Sequence, residues 1–292
     1  MKFTLAIAQI EPRAGELQTN LQTHLQCARE AIDRGAKCLV FPELSLSGYY
    51  LPAGFSQVAL RYDDDFLKPL VDLSHRLDII LGLPLESADH RLYNAALYLS
   101  GGRIIHEHRK VYLPTYGVFE EGKHFARGDQ FAAFDAMAGR AGVLICEENW
   151  HPSAAYLLWI DHALIIYSLH CSSAARDQVN EPSSSAAVCR QLNQFYAKIF
   201  GCYVIFVNRV GAEGPHTFWG GSEIVDPFGQ VERRAREFEP ELLVHTIDTD
   251  KIRQARLSLP LGRDEDVHLT LRNLQRLSAS YINHDKKLEK RV

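Results

Sequence analysis

The sequence predicts an α/β fold in which mixed sheets are covered by helices on their outer faces, and three observations carry that reading. Strand-like apolar runs and amphipathic helical stretches alternate along the whole chain. Glycine turns at Gly101-Gly102 and at Asp226-Pro227-Phe228-Gly229 insert hairpins into that alternation, so parallel and antiparallel pairs are expected together. No Ser/Gly-rich linker, low-complexity tract or break in composition divides the 292 residues. One domain over residues 1–280 is therefore expected, followed by a charged tail at 281–292.

Taken in order, Phe3 to Ala8 reads as a strand that Gln9 ends. Leu17, Leu21, Leu25, Ala28, Ala31 and Ile32 recur at spacings of three and four, an amphipathic helix closed by Gly35. Cys38 to Phe41 is a buried strand. Pro42 lacks a backbone donor and stops it, leaving Glu43 just past the strand end. Phe66, Leu67, Leu70, Leu73 and Leu77 predict a second helix, followed by the strand Ile79 to Leu83. Tyr93 to Ser100 and Arg103 to His108 form a hairpin around the glycine pair, and a loop runs from Leu113 to Gly128. The apolar run Gly142-Val143-Leu144-Ile145 ends at Cys146, with Glu147-Glu148-Asn149-Trp150-His151-Pro152 after it. A helix over Pro152 to Trp159, a strand over Ala163 to Leu169 and a long helix from Ser183 through Ile199 follow. The strand Cys202 to Val207 ends at Asn208-Arg209. A further hairpin strand lies between Gly220-Gly221 and the turn at 226–229, the last strand is Leu242 to Ile247, and a final helix spans Asp264 to Leu277.

Composition narrows the function classes. The chain is 46% hydrophobic and 23% charged, ordinary for a globular protein with a sizeable core. A net charge of −4 argues against general binding to nucleic acid or anionic membranes. The basic clusters Arg233 to Arg236 and Lys286 to Arg291 sit among acids and read as solvated surface. Six cysteines form no CxxC pair, the N-terminus turns polar too soon for a signal peptide, and no apolar run approaches the roughly 20 residues that span a bilayer. A cytoplasmic protein is expected.

Glu43, Lys110 and Cys146 each lie at or just after the end of a predicted strand, where ligands gather in open α/β sheets. A free thiol is only a few per cent thiolate at neutral pH, so a cysteine nucleophile needs a base. A carboxylate in reach can take its proton. The tetrahedral adduct of an acyl substrate then needs a positive group aimed at its oxyanion. A glutamate, a lysine and a cysteine supply those roles.

The residues around them carry a resemblance. Phe41-Pro42-Glu43-Leu44 with Ser47-Gly48-Tyr49, then Arg109-Lys110-Val111-Tyr112-Leu113-Pro114, then Leu144-Ile145-Cys146-Glu147-Glu148 are similar, in that order, to the motifs of the carbon–nitrogen hydrolase (nitrilase) superfamily. Gln9, Asn20, Asn208-Arg209-Val210-Gly211, Phe218-Trp219-Gly220-Gly221-Ser222 and Asp226-Pro227-Phe228-Gly229 support it. The resemblance implies a four-layer α-β-β-α sandwich of two mixed sheets, usually paired into dimers or higher homo-oligomers. It implies Cys146 as nucleophile, Glu43 as general base and Lys110 as oxyanion-stabilising group, with the backbone N–H of Glu147 as a second oxyanion donor. Many members carry a further glutamate seven residues before a glycine. Counting back from Gly128 selects Glu121, with Glu120 the other candidate, to orient substrate and Lys110. No metal or organic cofactor is implied.

Residues after the nucleophile bear on substrate. True nitrilases typically place tryptophan directly after the cysteine, where this chain has Glu147, although Glu148-Asn149 follows as in that branch. Cys146-Glu147-Glu148-Asn149-Trp150-His151-Pro152 resembles the glutamine-hydrolysing domains that feed NAD synthetases, and Tyr116-Gly117-Val118-Phe119-Glu120-Glu121 adds to that similarity. The expectation is an amidase of small amides, glutamine-like or aliphatic. The alternatives are a nitrilase and an ammonia-donating subunit of a synthetase. Tyr49, Tyr116, Trp150 and Phe218 are candidate pocket walls, or plain core aromatics. Ser153 and His170-Cys171-Ser172-Ser173 depart from the usual pattern, and His170 is a candidate pocket residue. His106 and His108 share one strand face, a spacing that suits zinc, but the weaker reading beside a solvated hairpin.

Overall fold

In the computed structural model, residues 1–117, 119–174, 179–181 and 184–289 are described, with side chains through Ala279. Val118, Ser183 and residues 290–292 of the sequence reading lie outside the described residues. The first half runs β1 (Lys2–Gln9), α1 (Leu17–Asp33), β2 (Cys38–Val40), α2 (Lys68–Leu73), β3 (Asp78–Glu86), β4 (Leu92–Ser100) and β5 (Arg103–Arg109). The middle adds β6 (Phe134–Ala136), β7 (Gly139–Ile145), α3 (Pro152–Ile160), β8 (Ile165–His170), α4 (Ser185–Phe200) and β9 (Tyr203–Asn208). After them come β10 (Val210–Glu213), β11 (His216–Trp219), β12 (Glu223–Val225), β13 (Val231–Arg234), β14 (Glu241–Asp248), α5 (Asp250–Ser258), α6 (Leu261–Asp264) and α7 (Val267–Glu289).

Two six-stranded mixed sheets result, ordered β14-β1-β2-β3-β4-β5 and β13-β12-β9-β8-β7-β6. Alternation along each strand sends side chains to two different cores. In β1, Leu5 and Ile7 join a core that also holds Val143, Ile145 and Tyr167 of the other sheet, while Ala6 and Ala8 pack with Leu21 and Leu25 of α1. In β7, Leu144 faces Ala154 and Leu158 of α3 and Tyr196 of α4. The order is therefore helix, sheet, sheet, helix, the four-layer α-β-β-α sandwich. Strands buried on both faces need near-continuous apolar runs, which is why the sequence showed runs rather than alternation.

Several elements differ from expectation. The second helix is a 3₁₀ turn at Asp65–Leu67 leading into the six residues of α2. It stops because the Ser74 hydroxyl donates to Val71 O at 2.7 Å and competes with the helical pattern. Helix α4 starts at Ser185, with the Ser184 hydroxyl accepting from Ala187 N–H as its cap. The last helical stretch is three pieces, broken at Pro260 and again at Glu265, and α7 continues well past Leu277. The sequence reading did not find α5, β6, β13 or the β10–β11 hairpin. These strands have three or four residues, and α5 buries only Ile252 and Ala255, so periodicity had little to act on.

The site is placed by strand direction. β1, β2 and β3 are parallel neighbours, as are β7, β8 and β9. The carboxyl ends of β2, β7 and β8 present Glu43, Cys146 and Cys171, and β5, which turns back twice through β4, ends at Lys110.

Candidate active site

Glu43 sits in a turn held tightly over β3. Leu46 N–H donates to Gly82 O at 3.1 Å, and Leu44 adopts φ of +45°. A Cβ on Gly82 would lie 2.4 Å from Leu44 N and 2.7 Å from Pro42 O, so only glycine lets the turn cross there. Lys110 is fixed from both sides: its N–H donates to Asn94 O and its carbonyl accepts from Gly128 N–H, each at 2.8 Å. A Cβ on Gly128 would stand 2.0 Å from Arg109 O. Cys146 opens a 3₁₀ turn, Cys146–Trp150, at φ of +48°, a conformation that non-glycine residues hold only when their surroundings over-determine it.

The structure brings the charged residues together. The Lys110 ammonium, fully buried, donates to Glu43 Oε1 at 2.6 Å and to Glu121 Oε1 at 2.8 Å. Asn94 Nδ2 donates to Glu43 Oε1 at 2.7 Å, and Cys171 N–H to Glu43 Oε2 at 2.8 Å. The Tyr49 hydroxyl donates to Glu121 Oε1 at 2.8 Å. Glu120, by contrast, pairs with Lys123 at the surface. Cys146, half-buried, lies in the electrostatic reach of Glu43, Lys110 and Glu121.

Burial and the Glu43 charge push the Cys146 thiol well above its ordinary range, with Lys110 opposing them. Burial also works against the Lys110 ammonium, but the Glu121 and Glu43 carboxylates outweigh it and hold the lysine charged. Glu121 is pushed up to about 7, chiefly by burial, with Lys110 opposing and the Glu43 charge adding. A protonated thiol beside a paired carboxylate and a permanent cation is suited to attack with concerted proton loss, rather than to a standing thiolate.

Glu148 joins the two halves. Fully buried, it accepts from Val111 N–H at 2.6 Å through Oε1, and from Ile145 N–H and His108 Nε2 at 2.7 Å each through Oε2. The residues next to Lys110 and Cys146 are thus held by one carboxylate. His108 is engaged there, while His106 stacks on Phe134 at 4.0 Å, so the two histidines serve different contacts.

The remaining candidates occupy varied positions. Tyr116 is exposed, and its hydroxyl donates to Glu147 Oε2 at 2.8 Å at the edge of a 480 Å³ cavity shared with Tyr112 and His151. Tyr49 and Glu121 border a second cavity of 380 Å³ with Phe55, Phe125 and His216. Phe218 is fully buried, edge-on to Tyr49 at 6.1 Å and under the Arg209 guanidinium at 4.2 Å, so it supports Tyr49 from behind. Trp150 lies at the far end of the 3₁₀ turn, 36% exposed. His170 is fully buried with Nε2 on Ser168 Oγ at 2.8 Å; burial and Lys110 lower its pKa to about 3, which keeps it neutral and unfit to take a proton from a thiol.

Sequence reasoning missed Asn94, Glu213 and the Cys171 backbone. Glu213 accepts from Tyr49 N–H and Tyr50 N–H at 2.8 and 2.9 Å and pairs with Arg209 at 2.6 Å, pinning the loop that carries Tyr49. A lone amide inside the apolar run Tyr93-Asn94-Ala95-Ala96 was the signal available for Asn94.

With this geometry in place, comparison with known proteins is decisive about family. The carbon–nitrogen hydrolase family pattern matches residues 4–257. The chain belongs to the carbon–nitrogen hydrolase family. Among its relatives, a glutamine-dependent NAD(+) synthetase from Thermotoga maritima is 30% identical over 261 residues, covering 88% of this chain and 44% of that protein. A probable nitrilase from Schizosaccharomyces pombe is 26% identical over 268 residues, covering 88% and 92% of the two chains. A solved carbon–nitrogen hydrolase from Helicobacter pylori G27 shares the fold with a TM-score of 0.83 at 21% identity, over 94% of this chain and 99% of that one. This carbon–nitrogen hydrolase spans about half the length of the synthetase relatives it matches. No helix among its described residues is long and apolar enough to cross a membrane.

Proposed function

We propose that the protein hydrolyses the carbon–nitrogen bond of a small amide, glutamine-like or aliphatic, to a carboxylic acid and ammonia through a thioester on Cys146. The observation that carries this reading is the buried Lys110 ammonium held between Glu43 and Glu121, in electrostatic reach of a cysteine at a constrained turn. Cys146 Sγ attacks the amide carbon while Glu43 accepts the thiol proton. The oxyanion faces Lys110 and the Glu147 N–H. As the tetrahedral adduct collapses, the C–N bond breaks, Glu43 returns the proton to nitrogen, and ammonia leaves. Glu43 then takes a proton from water, whose oxygen attacks the thioester carbon; the acid departs and the thiol is reprotonated. Glu121, held by Lys110 and Tyr49, orients the lysine and the substrate.

One observation favours a second reading as an ammonia-donating subunit of a synthetase: the Cys146-to-Pro152 motif, in a chain similar to glutamine-dependent NAD(+) synthetases. We also infer self-association, because Val267, Leu271 and Leu274 recur at helical spacing on one face of α7 and are 41%, 49% and 59% exposed. A screen for ammonia release over amides, carbamoyl amines and nitriles, with Cys146→Ala as blank, tests the main reading. Release from an amide by the wild type alone is expected. Release from nitriles only would replace amidase by nitrilase. No release without a synthetase partner would favour the subunit reading.

A further inference from the structure

Asn94 touches every charged member of the cluster. It is fully buried on β4, its Nδ2 donates to Glu43 Oε1 at 2.7 Å and reaches Glu121 Oε2 at 3.4 Å, and its backbone carbonyl accepts from the Lys110 backbone N–H at 2.8 Å. Its Oδ1, also buried, has no hydrogen-bond partner among the described residues. An unpaired buried carbonyl costs free energy that a hydrocarbon of similar shape would avoid. Packing therefore does not explain an amide here, whereas its donor does. The opposite amide orientation would set Oδ1 against two carboxylates, which fixes the assignment of the two atoms.

The donor is shared unequally. Two carboxylates on one ammonium compete for a proton, and a neutral donor favours the ionised form of the oxygen it approaches most closely. The other groups facing Glu43 are Lys110 at the end of β5, the N–H and the buried thiol of Cys171 after β8, Cys146 after β7, and Glu121 with its Tyr49 partner. Lys110 donates to both carboxylates at similar distances, so it does not choose strongly between them. The Cys171 N–H reinforces Glu43, and the Tyr49 hydroxyl supports Glu121. We propose that Asn94 is a positioning residue whose side-chain donor, closer to Glu43 than to Glu121, makes Glu43 rather than Glu121 the carboxylate that takes the Cys146 proton. This rests on the reading of Glu43 as the base.

The test is the pH profile of Cys146 alkylation by iodoacetamide, followed on the peptide that carries Cys146, in the full-length wild type and in Asn94→Ala, Asn94→Ser and Asn94→Asp. Circular dichroism reports folding of each. Loss of the donor in Asn94→Ala is expected to move the acidic limb up by about one pH unit, a roughly tenfold slower reaction below it. Asn94→Asp adds a third carboxylate and is expected to move the limb further. Asn94→Ser keeps a donor and is expected to fall between the wild type and Asn94→Ala. A folded Asn94→Ala and a folded Asn94→Asp with the wild-type limb would overturn the proposal. Loss of folding in all three would also overturn it, by making Asn94 a determinant of the fold. A wild-type Cys146 that reacts no faster than Cys27 would instead overturn the base reading itself, and this proposal with it.

Discussion

A lysine with no exposed surface is costly unless its charge is matched, and Lys110 is matched twice, by Glu43 and Glu121. Truncating it strands two carboxylates, so Lys110→Ala is expected to lose about 3–5 kcal/mol of stability. Its turnover is expected to fall about 10²–10³-fold with little change in KM if the ammonium acts, as proposed, on the developing oxyanion. Steady-state kinetics beside chemical denaturation check both, and an effect confined to KM would mean that Lys110 only anchors substrate. Glu121 gives a pH signature. It is pushed from 4.5 up to about 7, so between those values the folded protein holds a proton that the unfolded chain has released. Stability from this group is present below pH 4.5 and is lost as pH rises through 7. Thermal unfolding of the wild type is expected to drop between pH 5 and 8 relative to Glu121→Gln; parallel curves would contradict the assignment.

At the scale of elements, the site depends on turns that cross other strands at backbone contact. The turn bearing Glu43 rests on Gly82 of β3, where an added Cβ meets backbone rather than a movable side chain. Gly82→Ala is therefore expected to cost about 1–3 kcal/mol and to reduce ammonia release by displacing Glu43, the proposed base; unchanged release with unchanged melting would show that the turn adapts. Much of this level was legible in advance. Pro42 stopping a strand and the apolar run before Cys146 are local signals that one chain segment carries, whereas the count from Gly128 to Glu121 had meaning only through the family resemblance. The supporting contacts were not legible, since Asn94 meets Glu43 across 51 residues and Glu213 meets Tyr49 across 164. No spacing rule reports pairs that only folding brings together. Phe218 and Trp150 show the same limit: an aromatic letter does not say whether its ring faces a pocket, a neighbouring ring or solvent.

For the whole molecule, two sheets placed face to face bring strand ends from both halves of the chain to one cluster, which neither sheet would form alone. Glu43 and Lys110 come from one sheet, and Cys146 and Cys171 from the other. The α7 face belongs to this scale too. Changing Leu271 and Leu274 together to aspartate is expected to shift sedimentation toward the monomer without altering the melting of the body, and an unchanged distribution would remove α7 from the interface. The central claim is a covalent acyl group on one sulfur. Acid-quenched protein taken during turnover of a hydrolysed amide, digested and weighed, reports it directly. The peptide containing Cys146 is expected to gain the mass of the acyl group less one hydrogen. Turnover with that peptide unmodified and the acyl group on another residue would contradict it.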